Sequence, residues 1–198
     1  MKNRKVAITG GIGSGKSEVC KRLLQLGYPV YSCDKIYKDI YQTQEYQSVL
    51  EREFPQCIKD GKIDKSSLAD FVFQNPDALE KLNSIAHPRI MNRLEEALAC
   101  VDGIIFVEVP LLFEGGYENL FDYVIIVERS KQLRICSVMQ RDGLPEEAVL
   151  RRMSSQFNYD ASDAYKSLDN KKYIRLNNNE GVETLYSNIE KIVSELKM

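Results

Sequence analysis

Val6-Ala7-Ile8-Thr9-Gly10-Gly11-Ile12-Gly13-Ser14-Gly15-Lys16-Ser17 decides the fold. Val6 to Thr9 is apolar, β-prone and followed by glycines, which predicts a short buried strand. Gly10 to Ser17 fits G-x-x-x-x-G-K-[ST], the spacing of a phosphate-binding loop. From Gly15 to Leu26 the residues Val19, Leu23, Leu24 and Leu26 give a helix its apolar face, and Gly27 is a fitting stop. Tyr28 to Ser32 reads as a second strand. Strand, glycine loop, helix and strand make a βαβ unit, and such units build parallel sheets.

Each part of the loop has a physical task. Glycines let the backbone aim its N–H groups at phosphate oxygens, and the following helix adds the positive end of its dipole. Lys16 reaches the β- and γ-phosphates and Ser17 offers a hydroxyl to Mg²⁺. The predicted ATP-binding set is therefore Gly11, Ile12, Gly13, Ser14, Gly15, Lys16, Ser17 and Glu18. Nucleotide binding follows from this loop; the reaction does not, because the loop serves many chemistries.

Outward from the loop, Asp34 to Cys100 reads as mostly helical, with a turn at Asp60-Gly61. One helix is predicted to start at Asn75-Pro76-Asp77 and another at Pro88. Gly103 to Pro110 is nearly continuous in apolar residues, as a central parallel strand should be. Tyr123 to Val127 is predicted as the fourth strand and Tyr173 to Leu176 as the last. Helices are predicted over Lys131 to Gln140, Pro145 to Phe157 and Val182 to Leu196, and Asn158 to Asn170 is polar and poorly patterned.

The chain has 198 residues, 27 Lys plus Arg against 29 Asp plus Glu, and 43% hydrophobic residues. That suits one globular domain over 1–198 and excludes disorder. Without a basic excess, no nucleic-acid or anionic-membrane partner is expected. The five cysteines are scattered and lack C-x-x-C spacing, so neither a disulfide framework nor a zinc site is expected. No signal-peptide core or bilayer-length apolar stretch is read, and the expected location is cytoplasmic.

Three groups narrow the chemistry. Glu108 closes the third strand and could hold an Mg²⁺-bound water or pair with a basic side chain. Asp34 follows the second strand, at the rim where open α/β sheets gather ligands. It could accept or orient the proton of an attacking hydroxyl, or cap a helix starting at Lys35. Arg141, Arg151 and Arg152 could clamp transferring phosphates from a lid, or be solvated helix charge. No Asn-Lys-x-Asp segment reads guanine.

Together with the loop, the Asp34 segment, Phe73-Gln74-Asn75-Pro76, Leu82-Asn83 leading to His87-Pro88, Pro110-Leu111-Leu112-Phe113-Glu114 and Met139-Gln140-Arg141-Asp142 resemble the dephospho-CoA kinase family. The resemblance implies a P-loop kinase fold: a five-stranded parallel sheet of order 2-3-1-4-5 flanked by helices, a helical acceptor region over about 35–100 and a lid over about 142–165. It implies ATP and dephospho-CoA as substrates, Mg²⁺ with the ATP, and a monomer or weak homo-oligomer. Asp34 would act on the acceptor hydroxyl, Lys16 and Arg141 would stabilise the transferring phosphate, and Asp34, His87, Pro110, Leu111, Leu112 and Glu114 would border the acceptor. Ser17, and Glu108 through water, would serve the metal. The chain departs from the family pattern at Ser32, where an Asp is usual, at Glu18, where Thr is usual, and in the Asn177-Asn178-Asn179-Glu180-Gly181 turn expected near the adenine. Glu18 should weaken nucleotide binding unless it points away. The competing expectations are another small-metabolite or nucleoside monophosphate kinase, and a nucleotide-binding switch without turnover.

Overall fold

The computed structural model describes residues 4–99, 101–161 and 172–197. Along the chain the elements run β1 (Arg4–Thr9), α1 (Lys16–Gln25), β2 (Val30–Ser32), α2 (Cys33–Tyr41), α3 (Gln44–Glu53), β3 (Ile58–Lys59), β4 (Lys62–Ile63), α4 (Lys65–Gln74), α5 (Pro76–Ala99), β5 (Ile104–Glu108), β6 (Tyr123–Glu128), α6 (Lys131–Asp142), α7 (Glu146–Ser154), β7 (Tyr173–Asn177) and α8 (Val182–Lys197). The chain divides into two compact units, Met1–Ser32 with Val101–Met198, and Cys33–Cys100.

The first unit holds a five-stranded parallel sheet of order β2-β5-β1-β6-β7. Counting only the strands of this sheet, that is 2-3-1-4-5. Val6, Ile8, Phe106, Ile125, Val127 and Leu176 pack with Val19 and Leu23 of α1 and with Leu185, Ile189, Ile192 and Val193 of α8. The alternate residues Ala7, Ile105, Val107, Val124 and Ile126 are also fully buried. Both faces of the central strands are therefore covered, which is why these strands read as unbroken apolar runs. The register pairs Ile8 with Glu108 and Ser32 with Glu108, so Glu108 lies between the C-terminal ends of β1 and β2.

The second unit is helical except for the hairpin β3–β4, which the sequence reading reduced to its turn. Asp60 and Gly61 both have positive φ, 51° and 76°, as a two-residue primed turn requires. The predicted helix start at Pro88 is not observed. α5 runs unbroken from Pro76 to Ala99 with Pro88 inside it. The buried stripe Ala78, Ala86, Ile90, Leu94 and Leu98 crosses the proline without a change of face, so packing outweighs the local cost of a missing N–H. Arg89 Nη1 donates to Ile85 O at 2.9 Å, supplying a donor to the disturbed turn. Tyr37, Tyr41 and Tyr46 meet edge to face with ring centroids 6.0–6.4 Å apart, so they pack against one another.

Candidate functional site

The loop between β1 and α1 is held from three sides. Within it, Ser14 N–H donates to Gly11 O at 3.1 Å and Lys16 Nζ donates to Gly10 O at 2.7 Å and Gly11 O at 3.2 Å. The ammonium group thus lies over the cradle it is predicted to serve. Against α6, Gly13 has φ 77°, and a Cβ there would lie 2.6 Å from Arg134 O, so only glycine fits. From the far end of the sheet, Asn178 Nδ2 donates to Ser14 O at 2.8 Å. Asn179 Oδ1 accepts from Ser130 N–H at 2.8 Å, just before α6. The asparagine turn expected near the adenine therefore braces the loop itself.

Ser17 is exposed in the first turn of α1. Burial, reinforced by the Glu108 charge, pushes the Cys20 thiol up to about 12, while Lys16 pulls the other way. Cys20 is thus an inert packing group, and Glu108 and Lys16 both act on it electrostatically. Glu18, expected to weaken nucleotide binding unless it points away, is held toward α8: Tyr186 Oη of α8 donates to Glu18 Oε1, and Lys21 Nζ lies 3.4 Å from the same oxygen. The Tyr186 hydrogen bond holds the Glu18 carboxyl below its usual range.

Arg141, at the end of α6, is exposed and makes two hydrogen bonds to Asp142, at 2.7 and 3.0 Å. Arg152 of α7 joins the same carboxylate at 3.2 Å. Asp142 raises the Arg141 pKa further. These two arginines are gathered on one acid at the α6–α7 junction. Arg151 is exposed on α7.

In the turn after β5, Leu112 is fully buried and Leu111 is 39% exposed. Leu112 anchors the turn from inside, and of the two only Leu111 presents surface. Pro110 lies at the start of the turn, and Glu114 Oε1 accepts from Phe157 N–H at 2.7 Å. The rings of Phe113, Phe157, Tyr159 and Tyr173 cluster with centroids 4.6–6.2 Å apart. The segment after α7 also reaches the loop. Gln156 Oε1 accepts from Ile12 N–H at 2.8 Å, and Tyr159 Oη lies 3.1 Å from Thr9 Oγ1. α7 itself ends at Ser154, short of the Phe157 predicted from sequence. The expected lid, about 142–165, runs on into residues outside the described ones.

Asp34 and His87 belong to the second unit. Asp34 is exposed in the first turn of α2, which begins at Cys33 directly after β2. It therefore stands inside the helix, not at a cap before Lys35. His87 is half-buried in α5, and burial pushes its imidazole below the usual range, so it is neutral near pH 7.

Arg134, Asn178, Gln156 and Tyr159 were not among the predicted site residues. For Asn178 the asparagine tract after the last strand was a signal. For Arg134 the signal was faint: it precedes Ile135 and stands one turn before Val138, and all three are buried on α6.

A family model described as dephospho-CoA kinase matches residues 4–179. A dephospho-CoA kinase of Fusobacterium nucleatum is 34% identical over 189 residues, 94% of this chain and 95% of the relative. One from Thermus thermophilus is 37% identical over 152 residues, 76% of this chain and 74% of the relative. Among solved structures, TT1252 from Thermus thermophilus has a TM-score of 0.83 at 31% identity, covering 99% of both chains. The dephospho-CoA kinase from Campylobacter jejuni has a TM-score of 0.69 at 29% identity, covering 98% of both chains. Loop, sheet order and sequence thus agree over nearly the whole length, and the chain belongs to the dephospho-CoA kinase family.

Proposed function

We propose that this chain transfers the γ-phosphoryl group of ATP to the ribose 3′-hydroxyl of dephospho-CoA, giving CoA and ADP, the last step of coenzyme A synthesis. The observation that carries the reading is the braced phosphate loop, with Lys16 over it, in a chain matched to the family across residues 4–179. Lys16 and Arg141 oppose the charge on the transferring phosphoryl group. Asp34 takes or orients the proton of the 3′-hydroxyl as its oxygen attacks phosphorus, and ADP leaves. His87, in the helical acceptor region over about 35–100, and the Pro110–Glu114 turn serve the acceptor. Neutral His87 is suited to hydrogen bonding rather than to charge pairing.

Mg²⁺ fits the residues present. Ser17 and Glu108 offer hard oxygen donors. Such donors suit an ion bound by few protein oxygens and completed by phosphates and water. When bound, it neutralises charge on the β- and γ-phosphates. No helix among the described residues is long and apolar enough to cross a membrane. The free thiols of Cys20, Cys57 and Cys136 support a reducing cytoplasm as the compartment, and we assign a monomer or weak homo-oligomer.

A coupled ADP-release assay with dephospho-CoA, AMP, CMP and shikimate tests this. Turnover is expected with dephospho-CoA alone. Turnover with a nucleoside monophosphate and none with dephospho-CoA would replace the reading, and ATP binding without any acceptor-dependent turnover would make the chain a switch.

A further inference from the structure

Among the described residues, the buried polar and charged side chains are Thr9, Ser14 and Arg134. All three stand at the phosphate loop. Thr9 ends β1, Ser14 lies in the loop, and Arg134 reaches it from α6. Arg134 is only 3% exposed. Its Nη1 occupies the space beside Gly11, where an added Cβ would come within 2.1 Å of it. The absence of a side chain at Gly11 is what admits the guanidinium. Arg134 Nε and Ser14 Oγ are buried with no hydrogen-bond partner among the described residues. A buried cation with an unfilled donor is costly unless something charged completes it.

Asp160 completes it in part, through an ion pair from Arg134 Nη2. Asp160 lies on the short segment after α7, whose Gln156 Oε1 accepts from Ile12 N–H of the loop at 2.8 Å. Two oxygens of this segment, one a carboxylate and one an amide carbonyl, thus sit on donors at the phosphate cradle. They are the acceptor types a phosphate would present. Arg134, Gln156 and Asp160 also line a cavity of about 320 Å³ together with Lys131.

We propose that Arg134 is a phosphate ligand of the bound nucleotide, and that Asp160 occupies its guanidinium until the nucleotide displaces it. Planar guanidinium donors match phosphate oxygens two at a time, and a charge-assisted bond in a buried setting is strong. Asp160 is then an internal competitor and not a support. The inference rests on the nucleotide-binding part of the proposed function and is independent of the acceptor.

Calorimetric titration with inorganic tripolyphosphate, ADP and a non-hydrolysable ATP analogue separates these roles. Arg134→Ala is expected to weaken all three ligands by roughly tenfold or more. Arg134→Lys keeps the charge, loses the fork and should fall between wild type and Arg134→Ala. Asp160→Asn should tighten all three several-fold, and this gain should vanish in the Arg134→Ala background. An Arg134–Asp160 pair that only supports the fold predicts the opposite, weaker or unchanged binding in Asp160→Asn. That result overturns the proposal, as would additive effects in the double variant or unchanged tripolyphosphate binding in Arg134→Ala. Should Arg134→Ala fail to fold, Asp160→Asn and Arg134→Lys decide it alone. A wild-type chain that binds nucleotide but ignores dephospho-CoA would refute the acceptor assignment and leave this test intact.

Discussion

Asp34 is exposed, ionisable and placed in the first turn of α2, where its charge also meets the positive end of the helix dipole. Two contributions are therefore mixed in one carboxylate, and an isosteric change separates them. Asp34→Asn keeps the shape and the hydrogen-bonding oxygen but removes basicity and charge. Turnover with dephospho-CoA should drop roughly a hundredfold or more, with the thermal midpoint nearly unchanged. A drop below about tenfold would reduce Asp34 to a helix-end charge. Glu18 illustrates a departure from the family pattern whose side chain is tied to another element. Its negative charge lies in the first turn of α1, but Tyr186 and Lys21 hold it to the side. Its orientation depends on a residue 168 positions away, which no local reading supplies.

At the scale of elements, α4 shows how one acid sets a helix start. Asp64 accepts from Ser67 N–H at 3.0 Å and from Lys59 Nζ at 2.8 Å, and Lys59, with Ser67, draws its pKa down to about 2. The folded carboxyl holds its proton less tightly than the unfolded one, so its contribution is complete above about pH 4 and is lost as pH falls toward 2. Wild type should therefore melt above Asp64→Asn at pH 6, with the gap closing between pH 4 and pH 2. A gap that stays constant on acidification would remove the charge from the explanation. The elements that were legible from sequence are those whose signals are local. β1, the loop and α1 form one continuous pattern, and β5 and β6 are buried on both faces, so their apolar runs stand out. Pro88 misled because a helix-start preference is local, whereas the stripe from Ala78 to Leu98 that carries α5 through it is a property of the whole helix. Arg134, Asn178 and Gln156 were hidden for a related reason. Each meets the loop from more than a hundred residues away, and spacing says nothing about such meetings.

For the whole molecule, a ligand that binds only the folded state raises its stability by mass action, by about 2.7 kcal/mol at a concentration one hundred times Kd. Saturating ATP should therefore raise the thermal midpoint of the wild-type chain by several degrees. In Lys16→Ala the rise should largely disappear and phosphoryl transfer should become undetectable, because the ammonium contact to the β- and γ-phosphates is gone. A full thermal shift, or near-normal turnover, in that variant would remove Lys16 from its assigned role. The position of β1 in the sheet carries a consequence for biosynthesis. β1 is translated well before the two strands that flank it, which begin at Ile104 and Tyr123, yet it lies in the middle of the sheet. Its covering helix α8 is translated only after all five strands of this sheet. A nascent chain can make the phosphate loop early but cannot hold its shape, since the asparagine that braces it is residue 178. Nucleotide capture is thus deferred until residue 178 has been made, and a product terminated before it should bind no ATP however intact its glycine motif.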